Sequence, residues 1–255
     1  FAAPSLAALI EHHDVVAVVT QPDAPSGRGK TLTASPVKQL ALSKKLPVLQ
    51  PRSLKPADAV ETLRALEPDL IVVAAFGQIL RQNVLDLPRF HCINVHASLL
   101  PRWRGASPIS AAIAAGDPVT GVTIMLMEAG LDSGPMLSQR ELKIDPDDTT
   151  GSLTERLSRL GAELLIETLP GWLDSSIAPK RQDESLVTLA GRLNKEQGAI
   201  DWTHSAARIE RHIRAMSPWP SAFTRWQGKQ LKVLRACVGH LDSRDKLPNG
   251  TVIVD

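Results

Sequence analysis

Over residues 1 to 170, short apolar runs alternate with segments that have helical spacing of apolar residues, and this alternation limits the possible folds more than any other feature. The apolar runs are rich in valine and isoleucine, and they lie at residues 15–19, 69–75, 92–96 and 122–127. Runs of this length and composition are typical of β-strands covered on both faces. Because helices separate them, we predict a mostly parallel sheet with helices on both sides, the α/β class.

The helices between these strands are marked by their ends and their apolar faces. Ser35-Pro36 and Ser107-Pro108 each combine a good N-cap residue with proline at the first helical position. Gly116 is expected to end the second of these helices. The longest helix is predicted from about residue 150 to 169, with an apolar face formed by Leu153, Leu157, Leu160 and Leu164.

The chain changes character after Pro170. Residues 174 to 200 are polar and lack strong periodicity, which is typical of a linker. A short helix is predicted next, and beyond Ser217-Pro218-Trp219-Pro220 two apolar runs flank a Gln227-Gly228 turn, which indicates a hairpin. We therefore predict three parts: an α/β domain over residues 1–173, a linker over 174–200 and a small β domain over 201–255.

Composition argues against several classes of protein. The two cysteines, Cys92 and Cys237, are far apart and form no C-x-x-C pair, so we expect a reducing cytoplasm and neither a disulfide framework nor a zinc site. No apolar run approaches the roughly 20 residues that span a bilayer, and no membrane partner is expected. The net charge of +2 does not by itself indicate nucleic-acid binding. Any RNA contact must come from local basic clusters.

Two stretches concentrate the side chains suited to chemistry. Asn94 and His96 are two residues apart in a predicted strand, so they share one face. They lie where the strand ends, and ligands of open α/β sheets bind beyond the carboxyl ends of strands. Asp132 follows the next strand in a glycine-rich loop, where it could accept a hydrogen bond from the imidazole and orient it. From the pattern alone, purely structural roles for all three residues stay open.

These stretches resemble the folate-dependent formyltransferases. The resemblance is carried by INVHASLLPRWRG at residues 93–105 and by GVTIMLMEAGLDSGPML at 121–137. It extends to Gln21-Pro22-Asp23, to Ile200-Asp201-Trp202 and to Pro218-Trp219-Pro220, so it runs from about residue 1 to 240. Within the family, the chain looks most like the members that formylate methionyl-tRNA.

The resemblance implies an architecture that agrees with the pattern of elements. The family has a Rossmann-like N-terminal domain, a linker and a C-terminal β-barrel of the OB type. By the same resemblance, the family's first β-strand and the last part of its barrel lie outside this sequence. We expect a monomeric cytoplasmic enzyme that uses no metal.

The resemblance also matches Asn94, His96 and Asp132 to the family's catalytic residues. It implies attack by the amino group of methionyl-initiator tRNA on the formyl carbon of 10-formyltetrahydrofolate. Asn94 is suited to donate a hydrogen bond to the formyl oxygen as negative charge develops there. His96 is expected to donate to the same oxygen or to pass a proton. Asp132 is expected to help remove the proton of the amine, through a water.

Binding residues follow from the same resemblance. Those expected to bind folate are Phe76, Gly77, Ile79, Leu80, Ser98, Leu99, Leu100, Pro101, Met127 and Gly130. Those expected to contact the tRNA acceptor stem are Arg28, Lys30, Arg102 and Arg104. Further basic residues give the β domain a face suited to an RNA backbone. They are Arg208, Arg211, Arg214, Arg225, Lys229, Lys232 and Arg235.

Three alternatives remain open. Another folate-dependent formyltransferase or hydrolase, acting on an amino sugar, a purine precursor or water, would carry the same catalytic residues, although the basic loop 24–31 favours tRNA. A non-catalytic RNA-binding module would leave Asn94, His96 and Asp132 with structural roles. A metal-dependent hydrolase would need more histidine and carboxylate ligands near His96 than the sequence offers.

Overall fold

The computed structural model describes residues 1–26, 31–239 and 249–251. Its helices are α1 (Ala2–His12), α2 (Pro36–Ser43), α3 (Ala57–Arg64), α4 (Gln82–Leu85), α5 (Pro108–Ala115), α6 (Thr150–Leu173) and α7 (Ala206–Ala215). Its strands are β1 (Val18–Val19), β2 (Ala24–Ser26), β3 (Thr31–Thr33), β4 (Val48–Leu49), β5 (Ile71–Val73), β6 (Cys92–His96), β7 (Arg104–Gly105), β8 (Val119–Leu126), β9 (Met136–Lys143), β10 (Leu189–Ala190), β11 (Ala222–Trp226) and β12 (Lys229–Val233).

The main sheet has four strands in the order β5-β6-β8-β9. β5 and β6 pair in parallel, with Val73 opposite Asn94, while β8 runs antiparallel to both of its neighbours. β1 and β4 form a separate parallel pair. Because β6 is an inner strand of the sheet, it is covered along its length, and all five of its residues are buried.

The largest apolar cluster lies between β6 and α6. Leu157 and Leu165 of α6 are fully buried and share this cluster with Ile93 and Val95 of β6. Gly161 allows the close approach of the helix, since a Cβ atom there would lie 2.9 Å from the Val95 side chain. The packing of α6 therefore fixes the position of β6 and of the side chains on the opposite face of that strand.

The predicted α/β fold class is confirmed, and most of the predicted elements are present. β6 has its predicted bounds, and α2 and α5 begin at the predicted prolines. Ser35 Oγ accepts a hydrogen bond from the Lys38 N–H at 3.2 Å, and Gly116 ends α5 with a φ of 78°. β5 and β6 form the parallel part of the main sheet, and β8 and β9 are added beside β6 by antiparallel pairing. β9 is absent from the predicted elements because its sequence, MLSQRELK, is mostly polar and half-exposed.

The helix α6 is longer than predicted. The prediction ends it at residue 169, before Pro170, but the helix continues to Leu173. Pro170 is exposed and removes one helical hydrogen-bond donor near the end of the helix. Trp172 in the last turn donates from Nε1 to the Phe90 carbonyl at 2.9 Å. This tertiary contact holds the final turn in place, which local sequence preference does not reveal.

The C-terminal part packs against the α/β domain through α7 and α5. Ile213 and Met216 are buried in the same cluster as Ile109 and Ile113 of α5. β11 and β12 form the predicted antiparallel hairpin about Gln227-Gly228. Of the expected β-barrel, this hairpin is the part within the described residues. Among the helices of those residues, none is both long and apolar enough to cross a bilayer.

Candidate active site

Successive residues of β6 face two different environments. Ile93 and Val95 face the main core against α6, and Cys92, Asn94 and His96 therefore face the other way. Cys92 is fully buried in a second apolar cluster, while Asn94 and His96 are 9% and 5% exposed. The structure thus places Asn94 and His96 side by side on the face that the period-two pattern assigns to them.

The carboxamide of Asn94 is nearly buried but has no protein partner. Among the described residues, none makes a hydrogen bond to this side chain. The amide atoms of Asn94 are not among the fully buried unpaired atoms of the described residues, so they reach the open space beside the strand. Both donors and the acceptor of the Asn94 amide are therefore available to a ligand at the end of β6.

The two ring nitrogens of His96 face different partners. Nε2 lies 3.1 Å from the Trp103 carbonyl oxygen, which can only accept, so the ring donates from Nε2. Nδ1 lies 3.8 Å from Asp132 Oδ2, which is beyond direct hydrogen-bond distance. Burial lowers the pKa of His96, opposed by the Asp132 carboxylate and the Trp103 carbonyl. In the neutral ring, Nδ1 is therefore unprotonated and faces Asp132 at 3.8 Å. The direct hydrogen bond between the two side chains that the sequence suggested is not formed.

The Asp132 carboxylate is held by the backbone of the turn that follows β6. Oδ2 accepts a hydrogen bond from the Gly105 N–H at 2.8 Å. Asp132 itself has a φ of 47°, a left-handed conformation that aspartate tolerates better than most residues. Gly105 has a φ of 119°, and a Cβ atom there would lie 2.4 Å from the Ala190 carbonyl oxygen. Glycine is therefore required where β7 pairs with β10 and supplies this hydrogen bond.

The turn between β6 and β7 is held by buried hydrogen bonds. Ser98 is fully buried and donates from Oγ to the Arg102 carbonyl at 2.6 Å. Thr123 Oγ1 donates to the Ser98 carbonyl at 2.7 Å and accepts from the Leu100 N–H at 3.1 Å. Of the expected folate-binding residues in this turn, Ser98 and Leu100 are buried, and Leu99 and Pro101 are half-buried. The buried pair shapes the turn that ends at Gly105.

An apolar region adjoins the Cys92 end of the Asn94 face. Phe76, Leu80 and Met127 pack in the same cluster as Cys92. A cavity of about 230 Å³ opens there, lined by Gln82, Leu85, Asp86, His91, Leu126, Met127 and Glu128. The remaining expected folate-binding residues are more open: Gly77 and Gly130 are exposed, and Ile79 is 79% exposed. The structure thus brings the loops 76–80 and 127–132 together beside Asn94.

Cys92 shares this face but does not act as a nucleophile. Burial, with a smaller effect of Asp86, raises the pKa of its thiol to about 12. Since the thiolate is the reactive form, a thiol with this pKa is inert near neutral pH. In the part of the chain that the structure describes, His, Cys, Asp and Glu side chains are nowhere grouped in threes to hold a metal ion.

The residues expected to contact tRNA are placed differently from one another. Arg28 and Lys30 lie outside the described residues. Arg102 is exposed, pairs with both carboxylate oxygens of Asp117 at 2.6 and 2.8 Å, and lies 4.4 Å above the Trp103 ring. Arg102 is therefore a fixed cation at the surface, in the turn that follows β6.

Arg104 lies instead in a buried network that sequence reasoning missed. It is 5% exposed, and its guanidinium pairs with both carboxylate oxygens of Glu184 at 2.7 and 3.1 Å. Its Nε donates to Gln182 Oε1 at 3.0 Å, and Gln182 Nε2 in turn donates to the backbone of the Asp132 loop. This placement favours a role within the protein over phosphate contact. Gln182 stands in a polar stretch without periodicity, so no sequence pattern singles it out.

Known proteins resemble this chain over nearly its whole length. The formyl transferase family model matches residues 4–169, and the model of the formyl transferase C-terminal domain matches residues 192–255. The methionyl-tRNA formyltransferase of Methylococcus capsulatus is 52% identical over 254 residues, covering 99% of this chain and 82% of that protein. The corresponding protein of Hydrogenovibrio crunogenus is 49% identical over 245 residues, covering 96% and 78%.

A solved structure shares the fold. It is an N-formyltransferase from Helicobacter canadensis in complex with folinic acid and dTDP-3-aminofucose, which matches with a TM-score of 0.67 at 16% identity over 91% of this chain and 82% of its own. The fold, the polar end of β6 and the two family matches together define an enzyme of the formyltransferase class. The sequence identity to the two methionyl-tRNA formyltransferases, which extends over most of both chains, shows to which members of this class the chain is related. The chain belongs to the methionyl-tRNA formyltransferase family, as its sequence predicts.

Proposed function

We propose that this protein transfers the formyl group of 10-formyltetrahydrofolate to the free amino group of methionyl-initiator tRNA. The observation that carries the proposal is the unpaired Asn94 carboxamide, held beside His96 at the end of β6. The acceptor is inferred from the names of relatives about half identical to this chain. The donor is inferred from the sequence resemblance and from the structural relative that holds folinic acid.

In the proposed reaction Asn94 stabilises the formyl oxygen. Attack of the amine nitrogen on the formyl carbon turns the carbonyl oxygen into an oxyanion, which donors already in place stabilise. Asn94 Nδ2 has no acceptor within the described protein, so it can donate to that oxygen without breaking another bond. Removing one such donor typically slows acyl transfer by about 100- to 1,000-fold.

Proton transfer is assigned to His96 and Asp132. The reaction forms a C–N bond to the amine, breaks the bond between the formyl carbon and N10 of the folate, and moves one proton from the amine to N10. Asp132 Oδ2 is occupied by the Gly105 N–H, which leaves Oδ1 to accept the amine proton, directly or through a water. Nδ1 of His96, 3.8 Å from Oδ2, faces the same space and can accept and return a proton there.

The folate ring is proposed to bind in the cavity beside Cys92. Leu85, Leu126 and Met127 line this cavity and provide apolar surface for a flat heterocycle, and Phe76 and Leu80 pack in the adjoining cluster. Asp86 and Glu128 line the same cavity, and their carboxylates can accept hydrogen bonds from the ring's N–H groups. In this arrangement the formyl-bearing end of the folate extends along the face of β6 toward Asn94.

The tRNA is proposed to reach the site across exposed cations. Arg102 lies in the turn directly after the catalytic strand. Arg28 and Lys30, which follow β2 in the sequence, are proposed to contact the acceptor stem, because cations bound to RNA phosphates release counterions. Arg225 and Lys232 of the β11–β12 hairpin are exposed and would contact the RNA backbone farther from the site.

We assign different roles to three parts of the chain. We propose a catalytic domain over residues 1–173, a linker over 174–200 and a tRNA-binding domain over 201–255. The first family match, 4–169, lies within the proposed catalytic domain, and the second, 192–255, begins within the proposed linker. We propose that the enzyme acts as a monomer, as the sequence resemblance implies. Both cysteines are unpaired, which supports the reducing cytoplasm as the compartment.

An amino-sugar acceptor is the second candidate. The Helicobacter canadensis relative was solved with dTDP-3-aminofucose. Formylation of an amino sugar would be the same attack of an amine on a formyl carbon. That relative is 16% identical to this chain, against 49% and 52% for the two methionyl-tRNA relatives. The tRNA acceptor is therefore preferred.

The acceptor is tested by comparing three substrates with 10-formyltetrahydrofolate as the donor: methionyl-initiator tRNA, methionyl-elongator tRNA and dTDP-3-aminofucose. We expect the highest kcat/KM for the initiator tRNA, and a loss of this preference in Arg28→Ala. Turnover of the sugar alone, or of none of the three, would overturn the proposed acceptor.

The role of Asn94 is tested in the same assay. Asn94→Ala should lower kcat by about 100- to 1,000-fold, because the oxyanion loses a donor, while the KM for tRNA stays near that of the wild type. Asn83→Ala, an exposed position on α4, is the matched control and should leave kcat unchanged. Wild-type kcat in Asn94→Ala would remove Asn94 from the mechanism.

A further inference from the structure

Gln182 is a nearly buried side chain whose amide contacts only the surroundings of the active site. Its Nε2 donates to the carbonyl oxygens of Asp132 and Gly134, each at 2.8 Å. Its Oε1 accepts from Arg104 Nε at 3.0 Å. The residue is 9% exposed. Both N–H groups and the carbonyl oxygen of this amide are thus engaged, and each partner lies in a segment that carries or holds a catalytic residue.

The loop that carries Asp132 depends on such contacts. Between β8 and β9 it has no regular secondary structure, and Asp132 has the left-handed φ of 47°. The carboxylate of Asp132 is held by the Gly105 N–H, and its main-chain carbonyl is held by Gln182. Asp132 is therefore fixed by two hydrogen bonds, one to its carboxylate and one to its main-chain carbonyl. The second, from Gln182, holds the backbone of the loop.

Arg104 connects the two groups that hold Asp132, the Gly105 N–H and the Gln182 amide. Arg104 directly precedes Gly105, whose N–H holds the Asp132 carboxylate. Its guanidinium is bound by Glu184 and by Gln182, and β7 pairs in parallel with β10. Gln182 therefore acts on Asp132 twice, directly through the carbonyl and indirectly through Arg104 and Gly105.

We propose that Gln182 is a positioning residue that holds Asp132 beside Nδ1 of His96 for proton transfer. The inference rests on the proposed function, since formyl transfer is the reaction that Asp132 serves. Gln182 touches neither substrate and acts through the Asp132 loop. The segment between α6 and α7 thus completes the active site, in addition to joining the two domains.

Two variants separate the contacts of Gln182. Gln182→Met keeps the length of the side chain and removes all three hydrogen bonds. Gln182→Glu keeps an acceptor for Arg104 but, when ionised, has no N–H for the carbonyls of Asp132 and Gly134. Because a misplacement of about 1 Å can slow a reaction by about 100-fold, both variants should lower kcat by about 10- to 100-fold. The KM values for tRNA and folate should stay within about twofold of the wild type.

The matched control is Gln197→Met. Gln197 is an exposed glutamine of the same segment that accepts from the Asn194 N–H at 2.8 Å, and its replacement should leave kcat unchanged. Thermal unfolding of each variant separates loss of fold from loss of position. Gln182→Asn, which withdraws the amide by one methylene, serves as a milder variant with an intermediate expected kcat if the others do not fold.

Three outcomes overturn the inference: wild-type kcat in Gln182→Met or in Gln182→Asn, recovery of kcat in Gln182→Glu, or a rise in KM with kcat retained. Recovery in Gln182→Glu would assign the effect to the contact with Arg104. Failure of the proposed function is recognised separately, because the wild-type protein would then not formylate methionyl-tRNA at all.

Discussion

The buried ring of His96, which we propose takes part in proton transfer, is also expected to affect stability. Burial is the main cause that lowers its pKa below the ordinary value of 6.5. The folded protein therefore takes up a proton on this ring at a lower pH than the unfolded chain does. Between the two pKa values the unfolded state holds more protons, so stability rises with pH in that window. The contribution of the His96 ring to the unfolding free energy is fully present above about pH 6.5. It is lost as the pH falls toward the pKa of the ring in the folded state.

We expect His96→Gln to remove this part of the pH dependence. As the pH is lowered from about 7.5 to about 5, the wild type should lose more unfolding free energy than the variant does. His212, whose pKa burial also lowers, titrates in both proteins and cancels in the difference. Urea unfolding at a series of pH values measures the two curves. If their difference stayed constant across the range, His96 would not be a neutral buried ring.

At the scale of elements, the helix α6 fixes the strand that carries the site. Leu157 is fully buried against β6, on the side away from Asn94 and His96. Leu157→Ala should lower the unfolding free energy by about 2–5 kcal/mol, because it removes apolar contacts and leaves a cavity. The kcat of the folded fraction should change little, since the catalytic face of β6 is not touched.

Denaturant unfolding of Leu157→Ala is compared with that of Leu42→Ala. Leu42 lies on α2 and is 55% exposed, so its truncation should change stability by no more than about 0.5 kcal/mol. Equal effects of the two substitutions would contradict the packing of α6 on β6.

The segment 174–200 shows how an element differs from its sequence pattern. Its polarity and lack of periodicity predict a linker, but β10 pairs with β7, and Gln182 and Glu184 enclose Arg104. Gln182 is nearly buried, whereas the Glu184 side chain is 71% exposed and pairs with the buried Arg104 from the surface. The pattern of polar and apolar residues does not distinguish these two cases, because the distinction depends on which partner lies opposite.

At the scale of the whole molecule, RNA binding is expected to draw on charges far from the catalytic strand. Arg225 and Lys232 are exposed, and the register of the β11–β12 hairpin places them on one face, with Lys229 on the other. R225Q/K232Q should raise the KM for tRNA and leave kcat unchanged. The slope of log(kcat/KM) against log[salt] should become shallower by about 0.7–0.9 for each RNA phosphate that the variant no longer neutralises.

Lys229→Gln, on the opposite face of the same hairpin, is the control for this prediction. It removes one positive charge from the same element and should change the salt dependence less than R225Q/K232Q does. An unchanged slope in R225Q/K232Q would exclude this face of the hairpin from tRNA binding.

The alternation of the main strands and helices, the two faces of β6 and the family could all be predicted from the sequence alone. These properties depend on local periodicity and on contiguous motifs: alternation along a strand places Asn94 and His96 together whatever surrounds the strand. Helix starts at Ser35 and Ser107 are equally local. For the same reason the predicted bounds of β6 agree with those observed.

The assembly of the site, in contrast, depends on tertiary packing. The 3.8 Å gap between His96 and Asp132, the burial of Arg104 and the hydrogen bonds from Gln182 to the Asp132 loop all join segments distant along the chain. The Gly105–Asp132 contact spans 27 residues and the Arg104–Gln182 contact spans 78. Periodicity specifies which face a side chain occupies but carries no information about the distance to a partner from another element. That distance is set by the packing of the whole chain.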